Sequence, residues 1–373
     1  MFRFIHSSDL HLGKRFGQFT GDLPGRLREA RHGVIGRLAQ HAREHGADTI
    51  LLAGDTFDTE TPAPDVRRQA LAAMRDHAPV RWVVLPGNHD SLQAAQLWAM
   101  LKAEAPENVI LATEPVALPL SPQVALLPAP CTTRRPGRDM SEWMDGATTP
   151  EGTLRLGLAH GAIRDFSEEG ATSDVIAPDR AARAGLDYLA LGDWHGALVV
   201  DPRTRYSGTP EPDRFKHRRP GEALLVSIAG RSALPEVSAL ATASFDWQIL
   251  DLQLLDGDDP VQVLEALLPE SRRRETLLQL VATGRSRLPG RTAMTEAAAR
   301  SAPDFAFLEL DDSGLTTECE AGDLDLIDRA GALREAAAAL LAEAESERHS
   351  AGEREIARAA LARLFSYAQA VTP

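Results

Sequence analysis

The sequence predicts a layered α/β fold, and two regularities indicate it. Short apolar runs recur at residues 2–5, 49–53 and 81–85, and each leads into a polar turn. Amphipathic stretches at residues 27–45, 64–77 and 91–103 separate the runs and have the spacing of helices. Alternation of short buried strands with helices is typical of βαβ units.

Later apolar runs extend the same pattern. They lie at residues 124–127, 154–159 and 188–191, and each is short enough to be a buried strand. Two of the three are followed closely by His or Asp. Because the carboxyl ends of neighbouring parallel strands meet at one edge of a sheet, these polar residues are expected to converge there.

The composition changes after Ser244 and predicts two further parts. A strand at 245–254, a helix at 261–268 and a strand at 277–283 indicate a small α+β domain. Two helical stretches follow at about 326–347 and 353–370. In the second, Ala357, Leu361, Leu364, Phe365 and Ala368 share one face. This face either packs on its own protein or receives a partner's helices.

Composition and charge exclude several classes of protein. The 373 residues contain two cysteines, which argues against a disulfide framework or a thiolate zinc site. There is no long apolar run and no apolar leader, so the expectation is a cytoplasmic protein without a membrane segment. The net charge of -14 argues against a tight nucleic-acid binder acting alone. A DNA substrate would need metals, local basic patches or a partner.

Residues that can bind metal ions follow five of the predicted strands. They are Asp9-x-His11, Gly54-Asp55, Gly87-Asn88-His89-Asp90, His160-Gly161 and Gly192-Asp193-Trp194-His195. Each segment alone is weak evidence, because Asp and Asn are common in turns and helix caps. Five in order, each behind an apolar run, indicate one site with the donors that suit manganese, iron or zinc. A pair of such ions about 3.5–4 Å apart can bind a phosphodiester, activate a water and stabilise the leaving oxygen.

These segments resemble the motifs of the calcineurin-like metallophosphoesterases and, within them, of the SbcD and meiotic-recombination-eleven nucleases. The similar stretches are Ser7-Ser8-Asp9-Leu10-His11-Leu12-Gly13, Gly54-Asp55-Thr56-Phe57-Asp58-Thr59, Leu85-Pro86-Gly87-Asn88-His89-Asp90-Ser91 and Tyr206-Ser207-Gly208-Thr209-Pro210. The resemblance implies a four-layer, αββα-like nuclease domain at 1–243. A capping domain at 244–320 and a C-terminal helical hairpin at 321–373 would follow, where the likeness holds only in outline.

The resemblance also implies a role for each matching residue. The first of two divalent metal ions would be held by Asp9, His11, Asp55 and His195. Asp55 would bridge to the second ion, which Asn88 and His160 would also hold. Manganese is the expected metal, with iron, zinc and magnesium as alternatives. His89 would act with Asp55 in catalysis, as an acid that protonates the leaving oxygen or stabilises the transition state, a role suited to imidazole.

Two positions depart from the family pattern. The last motif usually reads Gly-His-x-His, whereas Asp193 stands here at the first of the two histidines. A carboxylate can still bind a divalent cation, so an occupied metal pair with altered metal preference is expected, with Asp193 as a ligand. Asp58 stands where some relatives have a substrate-orienting histidine, and it is not expected to be catalytic.

Basic clusters stand out in the acidic chain. One contains Arg134, Arg135 and Arg138, and another is Arg272-Arg273-Arg274. A third follows the metal-site segment and supplies the candidate substrate contacts, namely Arg214, Lys216, Arg218 and Arg219. Cations at such a place can bind the phosphate backbone of DNA.

The leading interpretation is a divalent-metal-dependent DNA exonuclease subunit that acts in DNA end processing or repair. The resemblance implies DNA and an SbcC-type coiled-coil ATPase as partners, with the ATPase bound by the C-terminal helices, and a homodimer. Two alternatives stay open. The same core serves enzymes that act on other phosphoesters, and the Asp193 departure permits a metal-bound scaffold without catalysis.

Overall fold

The computed structural model describes residues 1–163, 175–216, 220–318, 327 and 331–371. The chain forms two compact units, Met1–Asp246 and Trp247–Pro373. The first unit ends close to the boundary predicted at 243. The predicted capping domain and C-terminal helices both belong to the second unit, and the three-part division stays a prediction.

Two six-stranded sheets form the centre of the first unit. The strands of the first sheet are β1 (Phe2–Ser7), β2 (Thr49–Leu52), β3 (Arg81–Val84), β4 (Val109–Leu111), β11 (Glu222–Ile228) and β12 (Glu236–Ala241). Their order across the sheet is β12-β11-β1-β2-β3-β4. The strands of the second sheet are β5 (Leu118–Ser121), β6 (Val124–Ala129), β7 (Leu154–His160), β8 (Tyr188–Gly192), β9 (Leu198–Asp201) and β10 (Thr204–Tyr206). Their order across the sheet is β5-β6-β7-β8-β10-β9. Strands β1 to β4 run parallel, as do β6, β7, β8 and β10.

Helices cover the outer faces of both sheets. The first sheet carries α1 (Leu23–Glu44), α2 (Pro64–Asp76) and α3 (Ala95–Glu104), and the second carries α4 (Arg180–Arg183) and a 3-10 turn (Glu142–Gly146). Between the sheets lies an apolar layer that includes Phe4, Leu51, Val83, Leu126, Leu156 and Tyr188. The order is helix, sheet, sheet, helix, which confirms the four-layer α/β fold.

The strand side chains show why the sequence gives this layering. Along β1, Phe4 points to the layer between the sheets and Ile5 points to the helices. Successive side chains of a strand face opposite sides, and here both sides are buried. Such a strand must be apolar at nearly every position, as the run Thr49–Leu52 shows.

The second unit is a three-stranded sheet packed with helices. Strands β13 (Asp246–Leu254), β14 (Thr276–Arg287) and β15 (Phe307–Glu318) form the sheet, and the helices are α5 (Pro260–Leu267), α6 (Leu288–Ser301), α7 (Ala332–Glu345) and α8 (Ala351–Val371). Strands β14 and β15 are parallel and α6 connects them. Neither α6 nor β15 was predicted individually from the sequence.

The apolar face predicted on the last helix packs inside the second unit. Ala357, Leu361 and Phe365 are buried, and Leu361 and Phe365 join Leu288 of α6 and Ala337 of α7 in one cluster. This agrees with the first interpretation of that face, in which it packs on its own protein. No helix in the described part of the chain is long and apolar enough to cross a membrane.

Candidate metal centre

The predicted metal ligands follow strands of both sheets. Asp9 and His11 follow β1, Asp55 follows β2, Asn88 follows β3, His160 ends β7, and Asp193 and His195 follow β8. These five strands end at the same side of the two-sheet core, as expected for parallel strands. The structure therefore brings together all seven residues from turns that are far apart in sequence.

The backbone at this site adopts an uncommon conformation. Positive φ angles occur at Asp9 (55°), His11 (44°), Asp55 (53°) and Asp193 (97°). Asp and His tolerate this left-handed region better than branched residues do, but each such residue still costs about 1–3 kcal/mol. These residues follow three different strands, and all of them are predicted metal ligands. The strained backbone therefore serves to direct the ligand side chains toward the centre.

Two glycines allow the turns to approach one another. A Cβ atom on Gly87 would collide with the backbone nitrogen and carboxylate of Asp55, and one on Gly54 would collide with the ring of His160. Gly54 also has a positive φ of 90°. The glycines that precede the ligands in the motifs are therefore required by close packing around Asp55.

Asp55 lies at the middle of the centre. Its Oδ2 atom is 3.7 Å from Nε2 of His11 and 3.5 Å from Nε2 of His160. Its Oδ1 atom accepts a hydrogen bond of 2.8 Å from the backbone N–H of His89. One carboxylate oxygen between two imidazole nitrogens is the position that a bridging ligand requires.

The first half of the centre consists of Asp9, His11 and His195. The two Nε2 atoms of the histidines are 3.2 Å apart. The Oδ1 atom of Asp9 is 4.0 Å from Nε2 of His11 and 3.9 Å from Nε2 of His195. The three donors thus face one point, as ligands of a single cation would.

The second half contains Asn88, His160 and Asp193. Oδ1 of Asp193 is 3.7 Å from Nε2 of His160 and accepts a hydrogen bond of 3.0 Å from the Asn88 side-chain amide. Oδ1 of Asn88 and Nε2 of His160 are buried, and neither has a hydrogen-bond partner among the residues described here. The carboxylate of Asp193 therefore does reach the place where the family pattern has an imidazole.

Each of the three ligand histidines has its Nδ1 atom close to an oxygen atom of the chain. Nδ1 of His160 lies 2.7 Å from the carbonyl oxygen of Ala53. Nδ1 of His11 is 3.2 Å from Oδ1 of Asp58, and Nδ1 of His195 is 3.5 Å from Oδ1 of Asp213. Ligand histidines commonly use one ring nitrogen for such an anchor and the other for the metal. Each Nε2 atom therefore faces the centre.

The charges of the site favour a cation. Burial opposes protonation of His160, but the carboxylate of Asp55 and its neighbours outweigh it and hold the pKa of His160 well above the ordinary value. Burial likewise opposes ionisation of Asp55, and His160 and His11 outweigh it, so the pKa of Asp55 is lowered. Oxygen and imidazole donors around a position that stabilises positive charge fit divalent cations such as manganese or zinc.

Three aspartates were not predicted to support the site. Asp58 and Asp213 orient His11 and His195, as described above. Asp90 accepts hydrogen bonds from the backbone N–H groups of Phe57 (3.0 Å) and Gly87 (2.7 Å), and thereby ties the turn after β2 to the turn after β3. Burial, followed by the charge of Asp55, raises the pKa of Asp90 to about 7. The signal in the sequence that could have indicated these three aspartates is their position within or beside the motifs.

The predicted substrate contacts are only partly described. Arg214 donates a 3.0 Å hydrogen bond from Nε to Oδ1 of Asp213, so it supports the aspartate that orients His195. Lys216 is exposed. Arg218 and Arg219 lie outside the described residues, and contact of this cluster with substrate stays a prediction.

The fold and the centre together define a phosphoesterase. The family model Calcineurin-like phosphoesterase matches residues 2–227, and the chain belongs to this family.

Curated relatives add a more specific likeness. The D subunit of nuclease SbcCD from Escherichia coli (strain K12) is 36% identical over 252 residues, which covers 57% of this chain and 61% of that protein. The protein of the same name from Rhodobacter capsulatus is 27% identical over 266 residues, covering 56% of this chain and 62% of that protein. The chain therefore matches less than two thirds of the length of these relatives. Among solved structures, TT1561 of Thermus thermophilus matches with a TM-score of 0.40 and 10% identity, covering 64% of this chain and 98% of that one.

Proposed function

We propose that this protein is a DNA nuclease subunit that hydrolyses phosphodiesters with two divalent metal ions, manganese being the expected metal. The observation that carries the proposal is the position of Asp55. One of its carboxylate oxygens lies within 3.7 Å of imidazole nitrogens from both halves of the centre. The relatives named as a subunit of nuclease SbcCD support a nucleic acid as the substrate, and the family resemblance makes DNA the expected one.

The chain holds the ions in two groups of ligands. Asp9, His11 and His195 would hold the first, Asn88, His160 and Asp193 the second, and Asp55 would bridge them. When bound, the two ions polarise the phosphodiester, lower the pKa of a water and stabilise charge on the leaving oxygen. The residues of the chain fix the spacing of the ligands, because each histidine is anchored through Nδ1.

His89 is proposed as the residue that acts on the leaving oxygen. Its Nδ1 atom lies 2.9 Å from the carbonyl oxygen of Asp58, which leaves Nε2 as the nitrogen that can face a substrate. Its ring packs edge-on against His11, with the ring centroids 4.8 Å apart. An imidazole in this position can donate a hydrogen bond or a proton as the P–O bond breaks.

The wider setting is part of the same proposal. The relatives are named as one subunit of a nuclease, which supports an assembly with a further subunit. On the family resemblance, we propose that this subunit is an SbcC-type ATPase and that the assembly acts in DNA end processing or repair in the cytoplasm. Docking of that ATPase would use surfaces of α7 and α8 that the second unit leaves exposed, where Leu333, Ile356 and Tyr367 lie. A homodimer is proposed on the family resemblance.

Cleavage assays test the proposed activity. Purified protein is incubated with manganese and either linear duplex DNA, single-stranded DNA or bis(p-nitrophenyl) phosphate, with EDTA as the metal-free control. The variants Asn88→Ala and His89→Ala are compared with Asp76→Asn, an exposed control on α2. We expect manganese-dependent cleavage of DNA that EDTA and both site variants abolish.

Other outcomes would select the alternatives. Cleavage of the small diester without cleavage of DNA, with the SbcC-type ATPase also present, would favour an enzyme for another phosphoester. Absence of all cleavage in a preparation shown to contain both metal ions would favour a scaffold.

A further inference from the structure

A cavity of about 390 Å³ adjoins the candidate metal centre. Its lining includes His89, His160 and Asp193 of the centre together with Arg134, Arg135 and Arg138. Its volume lies within the range of roughly 300–1,000 Å³ that is usual for small-molecule sites. A group bound at the metal centre can therefore continue into a space with three arginines.

The loop that carries these arginines is fixed at its first end. The backbone N–H of Cys131 donates a 3.1 Å hydrogen bond to the carbonyl oxygen of Pro86, and the N–H of Leu92 donates a 2.9 Å bond to the carbonyl oxygen of Cys131. Pro86 and Leu92 flank the turn that contains Asn88 and His89. The arginine loop is therefore attached directly to the turn that supplies part of the second half of the centre.

Asp139 fixes the other end of the loop. Its Oδ1 atom accepts hydrogen bonds from the backbone N–H (2.8 Å) and hydroxyl (2.5 Å) of Ser141, and its Oδ2 atom accepts one of 2.7 Å from Arg180. The N–H of Ala177 donates to the same Oδ2 at 3.1 Å. The carboxylate of Asp139 thus accepts four hydrogen bonds, and they hold the second end of the loop in place. None of the four comes from the arginines that line the cavity.

The three arginines differ from the structural arginines of this unit. Arg180 is 2% exposed and forms ion pairs with Asp139 and Asp145. Arg134, Arg135 and Arg138 are exposed. Their side chains line the cavity in a chain whose net charge is -14. Among the described residues that line the cavity, three are these arginines and one, Asp193, is a carboxylate, and such a lining suits an anion.

We propose that Arg134, Arg135 and Arg138 bind the phosphate that adjoins the scissile phosphate in a DNA strand, on the side of His89. Guanidinium groups match phosphate oxygens in charge and in paired hydrogen-bond geometry. The inference rests on the proposed phosphodiesterase function and adds to it a preference for substrates that carry a second phosphate. A substrate with a second phosphate gains contacts that a simple diester lacks.

The first test is binding without turnover. A short fluorescein-labelled oligothymidylate is titrated in EDTA and followed by fluorescence anisotropy. The variant Arg134→Ala/Arg135→Ala is compared with Arg68→Ala/Arg75→Ala, which removes two exposed charges from α2, away from the cavity. We expect about tenfold weaker binding for the cavity variant only, and a salt dependence reduced by about one unit of slope. Arg134→Lys/Arg135→Lys should recover part of the affinity.

The second test is the substrate preference with manganese. The ratio of kcat/KM for the oligonucleotide to kcat/KM for bis(p-nitrophenyl) phosphate should fall about tenfold in the cavity variant. The proposed arginine site would be wrong if the cavity variant and the α2 variant had equal oligonucleotide affinity, equal salt dependence of binding and an equal ratio of the two kcat/KM values. A wild type that cleaves no phosphodiester while the cavity variant loses oligonucleotide binding would overturn the proposed function and leave the anion site standing.

Discussion

The two halves of the candidate centre are anchored by different kinds of group. In the first half, His11 and His195 are oriented by the side-chain carboxylates of Asp58 and Asp213. In the second half, His160 is oriented by the backbone carbonyl of Ala53, which is part of the β2 turn. A single substitution can remove a side-chain anchor, whereas a backbone anchor persists as long as the sheet does.

The halves also differ in charge. Asp213 is paired with Lys14 (2.6 Å) and Arg214 (3.0 Å), so cations beyond the ligands neutralise the anchor of the first half. The second half instead gains the carboxylate of Asp193, whose pKa is raised by burial. The first half is therefore sensitive to its surrounding charges, and the second half is sensitive to the identity of residue 193.

Substitution of the shared ligand should have the largest effect. Asp55→Asn removes the charge that both halves use, so we expect loss of both metal ions and a fall in turnover of at least about 1,000-fold, equivalent to about 4 kcal/mol. Turnover of bis(p-nitrophenyl) phosphate and metal content by mass spectrometry measure this. Asp76→Asn is the control. Retention of two bound ions by Asp55→Asn would contradict the bridging role.

Substitution of an anchor should affect one half. Asp213→Asn and Asp58→Asn each weaken the orientation of a first-half histidine, and loss of such a partner typically costs about 10–100-fold in metal affinity or activity. Manganese titrations of activity should show one weakened ion and one ordinary ion. Equal weakening of both ions would mean that the halves are not separately anchored.

Replacement of residue 193 should alter metal preference more than overall activity. Asp193→His exchanges a carboxylate, which suits manganese, for an imidazole, which suits zinc. We expect the ratio of activity with zinc to activity with manganese to rise several-fold. An unchanged ratio would show that Asp193 does not contact the second ion.

Substitution of Asp139, which lies outside both halves, should change the free energy of unfolding and leave the metal ligands in place. Burial opposes ionisation of Asp139, but hydrogen bonds from Ser141 and Arg180 outweigh it and hold its pKa below the usual range. A carboxyl with a lowered pKa stabilises the fold at neutral pH, and this stabilisation is lost as the pH falls through the lowered pKa. Asp139→Asn should cost about 1–3 kcal/mol at pH 7 and less in acid. Urea unfolding of the wild type and the variant, at pH 7 and in acid, tests this. An equal loss of unfolding free energy under the two conditions would contradict it.

The second unit shows where sequence periodicity was insufficient. Leu288 of α6 lies in a cluster with Leu361 and Phe365 of α8, so these residues pack together although far apart in sequence. The apolar face of α8 was visible as a pattern, but the same pattern suits a partner's helices. Only the packing within the unit showed what covers it.

The sequence by itself determined the layered α/β core and the residues that meet at its edge. Buried strands must be apolar on both faces, and ligands such as Asp55 and His160 follow those strands, so the local pattern carries both facts. The anchors were decided by tertiary structure. Asp213 reaches His195, and Arg134 reaches the cavity beside His89, only because distant turns fold together. Residues such as Asp213 and Arg134 do not belong to a periodic sequence pattern, and their roles depend on distances that exist only in the folded chain.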